Sequence, residues 1–166
     1  MKKPGLRNIK TALSVVICAL TIQLFNILTG LEIEYFYAGI TAVFTMQQTN
    51  DQSKHRARSR LWGTLIGAMV AIVIGIIRFD ILKIDSPVLA EIFNTLYLFL
   101  GIIVTIWIID YFNLTFGVMI GCVMVISSFT IHEEYYILYT ILRGIETFYG
   151  AYVSLIINKY IFPYKK

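Results

Sequence analysis

Asn50-Asp51-Gln52-Ser53-Lys54-His55-Arg56-Ala57-Arg58-Ser59-Arg60 is the one strongly hydrophilic run between the two ends of the chain. Leu61-Trp62-Gly63-Thr64-Leu65-Ile66-Gly67-Ala68 follows at once. Lys54, Arg56, Arg58, Arg60 and a histidine therefore abut a long apolar segment. Cations held against a hydrocarbon run mark the edge of a bilayer. The run reads as a basic loop from which the other segments can be oriented.

The surrounding composition supports a membrane setting. Of 166 residues, 58% are hydrophobic and 14% charged, against about half and a quarter in soluble domains. Several apolar runs reach the ~18 residues needed to cross ~30 Å of hydrocarbon as helix. The expected helices cover about 9–28, 35–48, 61–77, 88–109, 114–131 and 137–158, the second being short for a full span. An amphipathic connector over 78–87 links the third to the fourth, and Asp110-Tyr111-Phe112-Asn113 is a tight link to the fifth. The fold class is an all-α membrane protein with six transmembrane helices in a single domain over 1–166, without a soluble domain. No clean cleavage site follows the first segment, so it is not a signal peptide.

With both termini cytoplasmic, Lys2, Lys3, Arg7, Lys10, Lys54, Arg56, Arg58, Arg60, Lys159, Lys165 and Lys166 face inward. Only Arg78, Lys83 and Arg143 of the 14 lysines and arginines face outward. That asymmetry sets the orientation in the cell membrane. The net charge of +4 is thus a topological signal, with no nucleic-acid partner implied. Cys18 and Cys122 lie inside apolar runs and behave as small hydrophobes. No cofactor motif, nucleophilic triad or phosphate loop is present, so an enzyme is not expected. His132-Glu133-Glu134 is too weak a pattern for a metal site, and no metal is expected.

A motif recurs. Arg60-x3-Thr64-x2-Gly67-Ala68-x-Val70 returns as Arg143-x3-Thr147-x2-Gly150-Ala151-x-Val153, shifted by 83 residues, half the chain. Two halves, 1–83 and 84–166, would each hold three helices. Three is odd, so they would be inverted repeats, as in many transporters. Chance similarity among common membrane residues is the alternative.

Several faces could carry chemistry. Thr11, Ser14, Cys18 and Thr21 share one side of the first segment, as do Ala38, Thr41, Thr45 and Gln48 in the second, with Gln47 and Thr49 beside them. Such residues serve helix packing through close approach and hydrogen bonds, or they line a polar path. Gly63, Gly67, Ala71 and Gly75, with Gly117, Gly121 and Gly150, read as close-packing positions. Arg143 and Glu146 lie one turn apart. They form either an ion pair that snorkels outward or an anion-attracting arginine held by a carboxylate. Lys10 is either an interfacial anchor or part of an inner vestibule, and His55 is solvated.

Gly5-Leu6-Arg7-Asn8-Ile9-Lys10-Thr11-Ala12, the run Tyr37 to Thr49, the Arg60–Ala68 block and Arg143-Gly144-Ile145-Glu146-Thr147-x2-Gly150 together resemble the bacterial aromatic acid exporter family. That family is related to fusaric acid resistance proteins and, distantly, to plant aluminium-activated malate transporters. The resemblance covers nearly the whole chain. It implies a six-helix unit, dimeric or larger, that moves small organic anions outward. Longer members carry a cytoplasmic helical domain, which a chain ending at Lys166 would lack or obtain from another protein.

The expected function is an exporter or channel for small organic anions, aromatic carboxylates among the candidates. Lys10, Arg56 and Arg60 would gather anions at the inner mouth, Thr41, Thr45, Gln47 and Gln48 would line the path, and Arg143 with Glu146 would act nearer the outside. The alternative is a non-transporting assembly subunit that docks through its glycine faces.

Overall fold

The computed structural model describes residues 5–78, 87–130 and 135–161. Among them every regular element is helical: α1 Leu6–Thr29, α2 Phe36–Thr45, α3 Asn50–Ile76, α4 Pro87–Tyr111, α5 Val118–Phe129 and α6 Tyr136–Tyr160. The connector over 79–86, the His132-Glu133-Glu134 turn, and Lys2, Lys3, Lys83, Lys165 and Lys166 lie outside the described residues. By length and composition, α1, α3 and α4 can each cross a membrane, while α2 and the 115–129 helix are shorter. α6 has 25 residues, with Arg143, Glu146 and Lys159 among them. The chain falls into two compact units, 1–58 with 145–166 and 59–144.

In the first unit, α1 buries a single stripe: Lys10, Ser14, Cys18 and Ile22, every fourth residue. Its other faces expose Leu20, Leu24, Phe25, Ile27 and Leu28, which suits a helix surrounded largely by lipid. Gly30 ends α1 in the left-handed region, φ 72°, and its N–H reaches the Asn26 carbonyl. Only a residue tolerant of positive φ fits there. The Asn26 side chain then donates to Ile33 O at 2.8 Å and accepts from Ile33 N at 3.1 Å. This clamp turns the chain into α2.

α2 is only 10 residues long, about 15 Å at ~1.5 Å per residue, half a bilayer core. It stops at Thr45 because Met46 is extended, ψ 118°. Gln47 N donates to Ser53 Oγ at 3.0 Å rather than to a carbonyl one turn back. Gln47 and Gln48 are therefore off the helix and do not continue the face of Thr41 and Thr45, which corrects the segment expected to reach residue 48.

The hydrophilic run is not a loop. It is the opening of α3, which is helical from Asn50 onward. Ser53, Ala57, Arg60 and Thr64 are buried at steps of three and four, while Lys54, His55 and Arg58 are exposed. A helix whose buried face has no large apolar residue and whose other face is cationic carries no apolar stripe, so hydrophobic periodicity does not register it. Ala38, Ala42 and Met46 of α2 pack on Cys18 and Ile22 of α1 and on Val153 and Ile157 of α6. Gly150 lies directly against the Ala38 carbonyl, where a Cβ would collide.

In the second unit the rest of α3 packs on α4 and α5 through Val70, Ala71 and Val125, with Ile74, Leu98, Ile102 and Phe129 against them. The α4–α5 link closes at Asn113, in the left-handed region at φ 54°, a conformation asparagine tolerates. A 3-10 turn over Thr115–Gly117 precedes α5, so α5 starts four residues later than the apolar run suggests. Here α3 and α5 touch backbone to backbone. Gly63 meets Gly117, and a Cβ on Gly67 would lie 2.5 Å from the Gly121 carbonyl oxygen.

That contact sets an expectation for stability. Gly67→Ala forces two backbones apart and should cost about 1–3 kcal/mol, as overpacking does. Gly144→Ala, with nothing within 4 Å of its added Cβ, should leave stability unchanged or raise it. Thermal denaturation in mild detergent compares them, and equal melting temperatures would contradict the close-contact account.

Candidate functional site

Where α2 breaks, four segments of the first unit bring their polar groups together. Lys10 Nζ donates to Asn158 Oδ1 at 3.0 Å. Asn158 Nδ2 lies 2.7 Å from Ser53 Oγ and 3.2 Å from each of Gln47 O and Thr49 O. An ammonium cannot accept and a carbonyl cannot donate, so the amide can face only this way. Thr49 also starts α3, its Oγ1 accepting from Gln52 N at 3.3 Å. The backbone beyond the end of α2 is thus satisfied by the protein itself.

Lys10 is 4% exposed. Among the described residues its one polar partner is the Asn158 amide oxygen, and no carboxylate pairs with it. Two of its three N–H donors are spare. Ser53 Oγ accepts from Gln47 N and from Asn158 Nδ2, which leaves its own proton available as well. A buried charge is ordinarily paired or neutralised. This one is held by a neutral dipole only.

The same unit contains three fully buried hydroxyls without a described partner, Thr41 Oγ1, Thr45 Oγ1 and Ser154 Oγ. Thr45 is the last residue of α2, and Ser154 lies one turn before Asn158 on α6. An unsatisfied buried hydroxyl costs about 1–3 kcal/mol. Other buried hydroxyls of the unit are answered, as in Ser14 Oγ to Lys10 O at 2.8 Å.

The remaining candidates are placed as follows. Arg60 and Arg143 are 3% and 6% exposed, and Glu146 and Thr147 are buried. Arg143 lays its guanidinium over the Tyr139 ring, 4.2 Å from the centroid, a cation–π contact. Arg56 and Gln47 are half-buried and Gln48 is exposed. Of the polar side expected on α1, Ser14 and Cys18 are buried, Thr11 is half-buried, and Thr21 is exposed with its hydroxyl 2.6 Å from that of Tyr149. Ser53 and Asn158 escaped the sequence reading. Asn158 carried a usable signal: a strong amide directly after the apolar run Leu155-Ile156-Ile157 has to find partners inside the protein.

No curated protein and no solved structure matches the chain. A protein-family model does, described as aromatic acid exporter family member 1, over residues 2–161. The match spans every described helix, including the broken α2 and both buried arginines. With three helices apolar and long enough to cross a membrane, and a family of exporters over nearly its full length, the chain is a multi-pass membrane protein that belongs to the aromatic acid exporter family.

Proposed function

We propose that the protein exports small organic anions, aromatic carboxylates among them, across the cell membrane through six spanning helices arranged as two inverted halves. The observation that carries this reading is a shared offset. Gly67 meets Gly121, and Gly150 meets Ala38. Gly75 meets Tyr136, and Asn158 meets Ser53. In each comparison both partners are displaced by the same 83 residues that separate Arg60 from Arg143. Val70, Ile74, Val125 and Phe129 of one core correspond likewise to Val153, Ile157, Ala42 and Met46 of the other.

A duplicated three-helix unit that inserts in both orientations is a plan many transporters use, with binding groups at broken helices. Arg60 and Arg143 then hold equivalent buried places in the two halves, one toward each membrane face. Arginine suits both, because it stays charged and its planar fork matches a carboxylate. The basic face of α3's first turns, with Lys54 and Arg58 exposed, would raise the local anion concentration at the inner side.

The scaffold alternative loses its main support. The glycines offered for docking a partner, Gly63 and Gly67, are occupied by Gly117 and Gly121 of the same chain.

Two measurements test the proposal. In a background with Cys18 and Cys122 replaced by serine, Glu32→Cys should label from outside with an impermeant maleimide. Phe112→Cys should label only after permeabilisation, and the reverse pattern would contradict termini held inside. In liposomes screened over aromatic and dicarboxylic acids, Arg143→Gln should lower flux roughly tenfold, the loss of one charge-assisted contact, with the particle size unchanged. Unaltered flux of every acid would remove Arg143 from the path.

A further inference from the structure

We infer that Lys10, Ser53 and Asn158 form the seat of a carboxylate, with the substrate anion serving as the missing counter-ion of Lys10. The inference rests on the exporter reading and names the group that binds.

The first ground is donor excess. Asn158 has both of its N–H groups committed to three acceptors and its oxygen to Lys10. What remains unused on the two neighbouring side chains is two ammonium N–H groups and one hydroxyl proton. A cluster whose spare capacity is all donor, around a positive charge, selects an anion with convergent oxygens. Thr45 and Ser154, fully buried and without described partners, lie in the adjoining turns of α2 and α6 and could serve the same ligand.

The second ground is an internal control. The positions 83 residues away from Lys10, Ser53 and Asn158 are Phe93, Tyr136 and Gly75. There the contact between the tyrosine and the glycine is apolar, with the Tyr136 ring against the space a Gly75 Cβ would fill. The second unit therefore has a tyrosine and a glycine where the first has a serine and an amide. The set Lys10, Ser53 and Asn158 is thus particular to the first unit and has a cause of its own. Binding chemistry supplies one.

A lipid headgroup is the other source of anionic oxygens near a helix end. Lys10 lies five residues into α1, yet only 4% of it is open to anything outside the protein. A lysine serving headgroups extends its stem toward the interface, and this one turns inward to α6.

The test uses the full chain in phosphatidylcholine liposomes with benzoate as probe. Lys10→Gln should lower benzoate flux ~10-fold or more, and Lys10→Arg should retain more flux than Lys10→Gln. Asn158→Asp is the decisive variant. It places a carboxylate beside Nζ but withdraws the N–H groups from Ser53 Oγ and the carbonyls of Gln47 and Thr49, so it should compete with substrate and lower flux similarly while the melting temperature falls. If the cluster is only a structural clasp, benzoate flux per folded protein stays intact in both Lys10→Gln and Asn158→Asp.

Wild-type flux of benzoate preserved in both Lys10→Gln and Asn158→Asp would overturn the carboxylate seat and leave the exporter standing. Absence of flux of any carboxylate in the wild type would overturn the exporter reading and the seat with it. An effect of Lys10→Gln confined to vesicles rich in anionic lipid would assign the ammonium to a headgroup and overturn the seat.

Discussion

A lysine ammonium carried out of water into a protein interior loses hydration that a single amide oxygen does not replace. That is the situation of Lys10, and the inner part of the first unit is arranged around it. Asn158 turns its oxygen to the ammonium and, having done so, must turn its nitrogen to acceptors. The acceptors it finds are Ser53 Oγ and the carbonyls of Gln47 and Thr49. Those carbonyls are available because α2 has stopped at Thr45. The truncated helix, the extended Met46 and the early start of α3 thus belong to one hydrogen-bonded arrangement that Asn158 ties to the lysine.

This coupling separates what was legible in the sequence from what was not. The long helices were legible: α1, α4 and α6 came out within three residues at each end, α1 and α4 because uniform apolarity over a fixed length is what a bilayer demands. The break in α2 was not. It depends on Asn158, 111 residues from Gln47, and no local signal reports so distant a capping group. The helical start of α3 was hidden for a different reason. Its buried face, Ser53, Ala57, Arg60 and Thr64, carries no large apolar residue, while its outward cations resemble a solvated loop. Lys10 was named as a candidate, but its burial follows from a period-four stripe with Ser14, Cys18 and Ile22 rather than from the basic amino terminus beside it.

Contacts that match across an offset of 83 residues, and contacts that do not, separate close packing from local chemistry in one molecule. Where contacts match across the 83-residue offset, as with Gly67 on Gly121 and Gly150 on Ala38, the common requirement is close approach of two backbones. Where the units differ, the second has the less polar version. Tyr136 against Gly75 is that version, and Ser53 with Asn158 is the polar one. The difference lies beside the break that ends α2, where unwound carbonyls and uncommitted donors meet. Transporter folds place substrate groups at such breaks.

The central claim, that the substrate carboxylate completes the charge of Lys10, is tested most directly by a distance. Solid-state NMR on the protein in lipid, with 15N-lysine and 13C-carboxyl benzoate, measures dipolar coupling between the carboxyl carbon and Nζ. The account predicts a carbon–nitrogen separation below ~4 Å, as in a direct charge-assisted hydrogen bond, and its disappearance when Lys10 is replaced by arginine. Bound benzoate whose carboxyl carbon shows no coupling to any lysine nitrogen, or coupling that survives Lys10→Arg, would contradict it.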